Sequence, residues 1–328
     1  MALAGLDQLV QFYFKQALAP ATSRSYEAAK KRFLAFCRSV HLPSVPASEA
    51  VLLRFVVALA AEGLSSGTIK CYLSGVRHLH LSLGLGDPKV GDMATLQHVM
   101  RGIKSVQAKR GQQPRPRLPI TPTILSGLRQ VWEKSRHDFD NIMLWAACTT
   151  CFFGFLRSGE ITSPSAHDFD PTYHLSLTDI AVDNPSHPLA ISVYIKASKT
   201  DPFRKGVQIF LGRTNDHLCP VAAMLAYVAI RGRQPGPLFR LASGAYLTRD
   251  RFVREVRKAL TAAGLDQSKY AGHSFRIGAA TTAAAVGIED STIKTLGRWE
   301  SAAYQLYVRL PREVLTSVSS KLVKAAFP

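Results

Sequence analysis

Four residues of this 328-residue chain have the types and spacing to do chemistry together: Arg157, His273, Arg276 and Tyr307. His273 and Arg276 stand three apart in Gly272–His273–Ser274–Phe275–Arg276, which puts them on one face of a helix. Leu156–Arg157–Ser158–Gly159–Glu160 supplies the other arginine, with a carboxylate three residues on, and a lone lysine lies between in Ser198–Lys199–Thr200. The run from Leu296 to Tyr307 carries Arg298, Trp299, Tyr304 and Tyr307. A phosphate whose oxygens gain negative charge as a fifth oxygen arrives is matched by guanidinium, which is planar, permanently charged and bonds two oxygens at once. Arg157 and Arg276, from distant positions, would hold the two non-bridging oxygens from different sides. Each donor of this kind is worth on the order of a hundredfold or more in rate. The competing reading is two ordinary salt-bridging arginines; their joint spacing with Glu160, His273 and Tyr307 favours the phosphate. A phenol with a pKa of about 10 attacks only after proton removal or among cations.

These boxes resemble the tyrosine recombinase (phage integrase) family. The run Gly272-His-Ser-Phe-Arg-Ile-Gly-Ala-Ala280 is similar to recombinases of the Cre type, and Gly297–Arg298–Trp299 is similar to the recombinases of DIRS-type eukaryotic retrotransposons. The resemblance implies that Arg157 and Arg276 are the two essential arginines and that a tyrosine attacks the DNA phosphate. The product would be a 3′-phosphotyrosyl link and a free 5′-hydroxyl, reversible without ATP. The family places its tyrosine ten residues after the box glycine, which from Gly297 is Tyr307; Tyr304 competes and would otherwise pack. Lys199 resembles the hairpin lysine that protonates the departing 5′ oxygen, with Lys196 and Lys205 as flanking alternatives. His273 would exchange a proton with the tyrosine or bond the phosphate; its alternative is helix capping. Glu160 would orient Arg157 or His273. The family has His or Trp one residue after the box glycine. Here that position is Arg298, so either Trp299 takes the role through a one-residue shift, which is the expectation, or Arg298 does. Neither a two-metal carboxylate cluster nor a Walker-type loop accompanies these residues, so no metal, cofactor or nucleotide is expected.

The chain around these residues reads as mainly α with a small β-sheet. Lys and Arg exceed Asp and Glu by 18 and the pI is near 10.0, which favours a polyanionic partner, most simply nucleic acid. Residues 1–118 hold 16 basic against 6 acidic side chains, a net of +10. Residues 1–108 read as an all-helical domain: a first helix or arm to about residue 20, a break at Pro20, then helices over 24–40, 48–63, 67–83 and 93–104. Lys30, Lys31, Lys70 and Arg77 lie on their polar faces and suit phosphate contacts along a duplex, or simply a solubilising surface. Residues 109–118 form a basic Pro/Gly linker whose Lys109, Arg110, Arg115 and Arg117 can lie along phosphates. By resemblance the first segment is the core-binding domain, which closes one half of a C-shaped clamp on DNA.

Residues 119–328 read as a mixed α+β catalytic domain. Helices are expected from Thr121 to Trp132 and over 141–155, the latter ending near Gly154 and delivering Arg157. Strands follow at 174–182, 190–197 and 206–211, with Lys199 in the turn between the last two. Further helices cover 220–231, 248–263, 273–285, 291–296, 302–307 and 312–327. Arg251 and Arg254 on the helix from Thr248 join the DNA-contact candidates. The last helix would pack on its own domain or dock into a neighbour, as the family's C-terminal segment does. The odd count of five cysteines, including Cys148 and Cys151 in an apolar run, implies reduced thiols inside a cell. No run suits a membrane span and the start lacks the features of a signal peptide. The leading expectation is a site-specific recombinase for mobile-element integration, acting on double-stranded DNA with an inverted-repeat site. It would bind as a dimer per site and a tetramer in synapsis, and be nuclear if the element is eukaryotic, otherwise cytoplasmic or nucleoid-associated. A DNA-binding remnant without catalysis and a type IB topoisomerase are the competing classes.

Overall fold

The computed structural model describes residues 3–112, 116–134, 138–198, 201 and 203–309, and they divide into two compact units, Met1–Pro114 and Arg115–Pro328. The division falls inside the segment read as a linker.

The first unit is helical. Helix α1 (Leu3–Gln16) buries no side chain. Helix α2 (Pro20–Ser39) starts at the residue expected to break the chain, because proline at a first helical position lacks only an N–H that would be unpaired anyway. Ser48 and Ser65 accept bonds from Val51 and Thr68 amides and so start α3 (Glu49–Ala61) and α4 (Ser66–Ser82). Helix α5 (Ala94–Lys109) runs past its expected end at Lys104. Phe33, Leu52, Phe55, Ile69 and Leu96 form the centre of this core. Gly75 lets α4 lie directly on α2, since a methyl group there would overlap Ala29.

In the second unit, Thr121 and Asp138 cap α6 (Pro122–Glu133) and α7 (Phe139–Phe153). The buried Cys148 and Cys151 sit in α7, where desolvation raises both thiols well above their ordinary pKa. A short helix, α8 (Ser158–Ile161), follows. The sheet is antiparallel in the order β1 (Ile180–Val182), β2 (Ala190–Ile195), β3 (Val207–Gly212), with Val193 opposite both Ile180 and Ile209. The strand expected from His174 is shorter: Asp179 accepts bonds from the backbone and hydroxyl of Ser176, closing a 3₁₀ turn at Leu177–Asp179 that leaves only Ile180–Val182 to pair. Helices α9 (Pro220–Arg231), α10 (Arg249–Ala262), α11 (Ser274–Ala285) and α12 (Asp290–Leu296) complete the unit. The helix expected at 302–307 is a 3₁₀ turn, Ala302–Leu306, and the one expected at 312–327 lies outside the described residues. Gly278 permits α11 to touch the backbone of Ile120, whose amide donates to the Ser274 carbonyl at 2.9 Å. Among the described residues no helix is long and apolar enough to cross a membrane.

Candidate active site

Three breaks in regular structure aim the site. After α7, Phe155 takes a left-handed φ of 51° and the Leu156 amide returns to the Cys151 carbonyl, so the chain reverses and presents Arg157 at the start of α8. Glu160 then reaches back: it accepts the Arg157 amide at 2.8 Å and the Arg157 guanidinium at 3.0 Å. His273 is the residue before α11, half-buried, and its carbonyl accepts the Ile277 amide. Gly272 lies against Ser158, where a methyl group would overlap the hydroxyl, and this close approach brings the α8 and α11 boxes together. After α12, Arg298 takes a φ of 56° and the Trp299 amide bonds the Lys294 carbonyl, turning the chain toward Tyr307.

Arg276, in the first turn of α11, is completely buried. One Nη donates to the Phe155 carbonyl at 2.6 Å and the other to the Gly297 carbonyl. Its guanidinium carbon lies 4.2 Å from the centre of the Trp299 ring and 5.7 Å from that of Tyr307, and the two rings are 5.0 Å apart. Glu160 also accepts from Arg298 at 2.8 Å, so one carboxylate with a side chain 5% exposed serves two guanidiniums. Burial pushes the pKa of Arg276 down to about 9; the positive charges of Arg157 and Arg298 press the same way, and Glu160 and Tyr307 oppose them. Three cations thus share one carboxylate. Arg276 Nε, Arg298 Nε and Nη1, and Trp299 Nε1 are all buried and unpaired. Buried donors without acceptors are costly; four such atoms on three neighbouring side chains, beside surplus positive charge, are the kind of donors an anion would satisfy.

The structure therefore brings Arg157, Glu160, Arg276, Arg298, Trp299 and Tyr307 into one cluster, with His273 on the neighbouring turn. It separates the two tyrosines. Tyr304 is buried and donates to Asp290 at 2.6 Å, a bond that raises its pKa. Tyr307 is half-buried at the end of the 3₁₀ turn, its backbone held by Thr281. It separates the lysines as well. Lys196 is fixed 2.7 Å from Asp179 and 2.7 Å from the Pro171 carbonyl, a structural role. Lys205 is exposed and lines a cavity of about 480 Å³ with Lys294, Arg298 and Trp299. Lys199 lies outside the described residues.

Of the DNA-contact candidates, Lys31, Lys70, Lys109, Arg110, Arg117 and Arg254 are exposed, while Arg115 lies outside the described residues. Lys30, placed on the polar face by the sequence pattern, is largely covered and held by Glu27 at 2.8 Å. Arg77 bonds Asp87 at 2.6 Å, and Arg251 lies 2.9 Å from Glu255. A cleft of about 600 Å³ gathers Arg117 and Arg254 with Arg249, Arg257 and Lys258. Arg249 is not singled out from sequence; Arg254, Arg257 and Lys258, basic residues at helical spacing along α10, mark one stripe, and Asp250 also lines the cleft.

No family model matches the chain. A curated integrase/recombinase, a XerD homologue from Selenomonas ruminantium, is 22% identical over 292 residues, spanning 85% of this chain and 78% of its own length. Among solved structures, the XerH site-specific recombinase bound to difH substrate in a pre-cleavage complex superposes with a TM-score of 0.61 at 15% identity, covering 90% of this chain and 78% of that one. A lambda integrase dimer bound to a COC′ core site gives a TM-score of 0.59 at 16% identity, covering 94% and 96%. The chain thus shares the fold of the XerH recombinase and of lambda integrase, and it resembles the curated integrase/recombinase over most of its length.

Proposed function

We propose that this chain is a site-specific DNA recombinase that cuts and rejoins strands through a 3′-phosphotyrosyl intermediate. The observation that carries the reading is the cradle of four buried, unpaired N–H donors beside the Tyr307 ring. A scissile phosphate seated there would accept from Arg276 and its neighbours while the Tyr307 oxygen attacks phosphorus. The O–P bond to tyrosine forms as the P–O5′ bond breaks, and the 5′ oxygen takes a proton from Lys199. The tyrosine proton passes to His273 or solvent. Reversal by another strand's 5′-hydroxyl rejoins DNA with no outside energy source. Guanidiniums that do not move during the reaction stabilise the transition state by being in place beforehand.

Double-stranded DNA as substrate is supported by the net charge of +18 and the basic cleft along α10. Dimeric binding on one inverted-repeat site and tetrameric synapsis belong to the same reading, as does integration of a mobile element. The Gly297–Arg298–Trp299 box supports a eukaryotic element and hence a nuclear location. A nicked suicide oligonucleotide carrying the site selected by binding tests the proposal. The wild-type chain forms a covalent protein–DNA adduct, and Tyr307→Phe binds the same DNA and forms none. Absence of any adduct from the wild-type chain leaves a DNA-binding protein without catalysis.

A further inference from the structure

We infer that Arg298 touches the scissile phosphate as a third guanidinium, and that Trp299 is a positioning residue for Arg276 and Tyr307. The inference rests on the recombinase reading above and goes beyond it. The expectation from residue type is the opposite, with Trp299 as the phosphate ligand through a one-residue shift, although the spacing from Gly297 falls on Arg298.

The backbone is the first observation. Among the described residues Arg298 is one of five non-glycine residues at positive φ, at 56°, and it follows the C-cap Gly297 of α12, a position where glycine is the usual occupant. An arginine there is strained. The side chain is the second. It is only 14% exposed, one nitrogen bonds Glu160 at 2.8 Å, and Nε and Nη1 are buried with no acceptor. Glu160 ties it to Arg157 and thereby holds both guanidiniums at one place. A guanidinium with one edge fixed by a carboxylate and its other donors unmet is arranged to receive a second anion.

Trp299 is held differently. Arg276 lies over its ring at 4.2 Å, Tyr307 is 5.0 Å away, and the ring packs so closely on Gly297 that a methyl group there would overlap it. Its indole N–H is also unpaired and buried, so geometry alone leaves both residues with a free donor. Charge separates them. Phosphate oxygens becoming more negative gain most from a full positive charge, and an indole supplies none. The ring faces serve instead to fix the nucleophile and Arg276 relative to each other.

The test compares Arg298→Gly with Trp299→Phe in single-turnover adduct formation on the nicked suicide duplex, and on the same duplex with a methylphosphonate at the scissile position. Glycine suits the left-handed backbone and Glu160 keeps its bond to Arg157, so Arg298→Gly stays folded, with a thermal midpoint at or below that of the wild-type chain for the lost Glu160 bond. It slows adduct formation by on the order of a hundredfold on phosphate. On the uncharged methylphosphonate the deficit shrinks to within about threefold, because the charge that Arg298 balances is gone. Trp299→Phe keeps the ring and loses the N–H; it stays within about tenfold of wild type on both substrates. The inference is overturned if Arg298→Gly forms adduct at the wild-type rate, if its deficit is equal on both substrates, or if Trp299→Phe shows the larger, charge-dependent loss. A wild-type chain that forms no adduct on either substrate overturns the recombinase reading itself.

Discussion

Gly297→Ala reads the central stack of the site directly. Gly297 has φ −80° and ψ −7°, a conformation any residue adopts, so the backbone does not object to alanine. On backbone grounds the exchange favours folding by about 0.5–1 kcal/mol. The obstacle is the Trp299 ring, three of whose carbons lie inside the space a methyl group would fill. Carbon atoms settle near 3.5–4.0 Å apart, so the ring must retreat by roughly 2 Å. Overpacking of this kind costs about 1–3 kcal/mol, leaving a net loss of about 0.5–2 kcal/mol in stability. The catalytic loss is larger. The ring that retreats is the one holding Arg276 at 4.2 Å and Tyr307 at 5.0 Å, and a misplacement of about 1 Å costs roughly a hundredfold in rate. The assay is a double-mutant cycle with Trp299→Ala, scored by urea denaturation and by single-turnover adduct formation. Trp299→Ala removes what the methyl group strikes. In that background Gly297→Ala is neutral or slightly stabilising and leaves the residual rate unchanged, a coupling of about 1–3 kcal/mol. Equal effects of Gly297→Ala in both backgrounds refute the stacking argument.

Other substitutions separate the remaining roles. Glu160→Gln leaves Arg157 and Arg298 facing each other without their shared carboxylate; breaking a buried pair costs about 3–5 kcal/mol, and the partial exposure of both arginines puts the loss near 2–3 kcal/mol by urea denaturation. An unchanged midpoint contradicts the shared clamp. Arg276 must be charged to hold a phosphate and has its pKa pushed down to about 9 by burial, Arg157 and Arg298, so the pH profile of kcat/KM falls as pH rises through about 9, and Arg298→Gly moves that fall upward. A profile that climbs steadily to pH 10 counts against the assignment. Lys196→Met lowers stability by removing the partner of the buried Asp179 and leaves the adduct rate per folded molecule unchanged. Lys199→Ala slows adduct formation, and a 5′-bridging sulfur at the scissile phosphate, which leaves without a proton, restores it.

Much of this arrangement is legible without coordinates, and the reasons differ by element. Arg276 and His273 are found because three-residue spacing at a helix start is a local property. Arg157 is found because a buried apolar run must stop at Gly154, and the chain beyond it must emerge. What escapes is set by packing between segments distant in sequence. That Trp299 lies under Arg276 depends on α11 and α12 meeting, and on a left-handed residue 298 that nothing in the run Gly-Arg-Trp announces. The commitment of Tyr304 to Asp290, and of Lys196 to Asp179, are contacts across 14 and 17 residues that only the fold supplies. The overlong strand from His174 differs in kind: Ser176-x-x-Asp179 carries a capping signature in the sequence itself, and it overrides the apolar alternation around it.

The most direct measurement is the chemical identity of the residue that carries DNA after cleavage. Digestion of the suicide-substrate adduct and mass spectrometry of the linked peptide should find the nucleotide on the oxygen of Tyr307. A nucleotide on Tyr304, or on any residue outside the cluster around Arg276, would contradict the account.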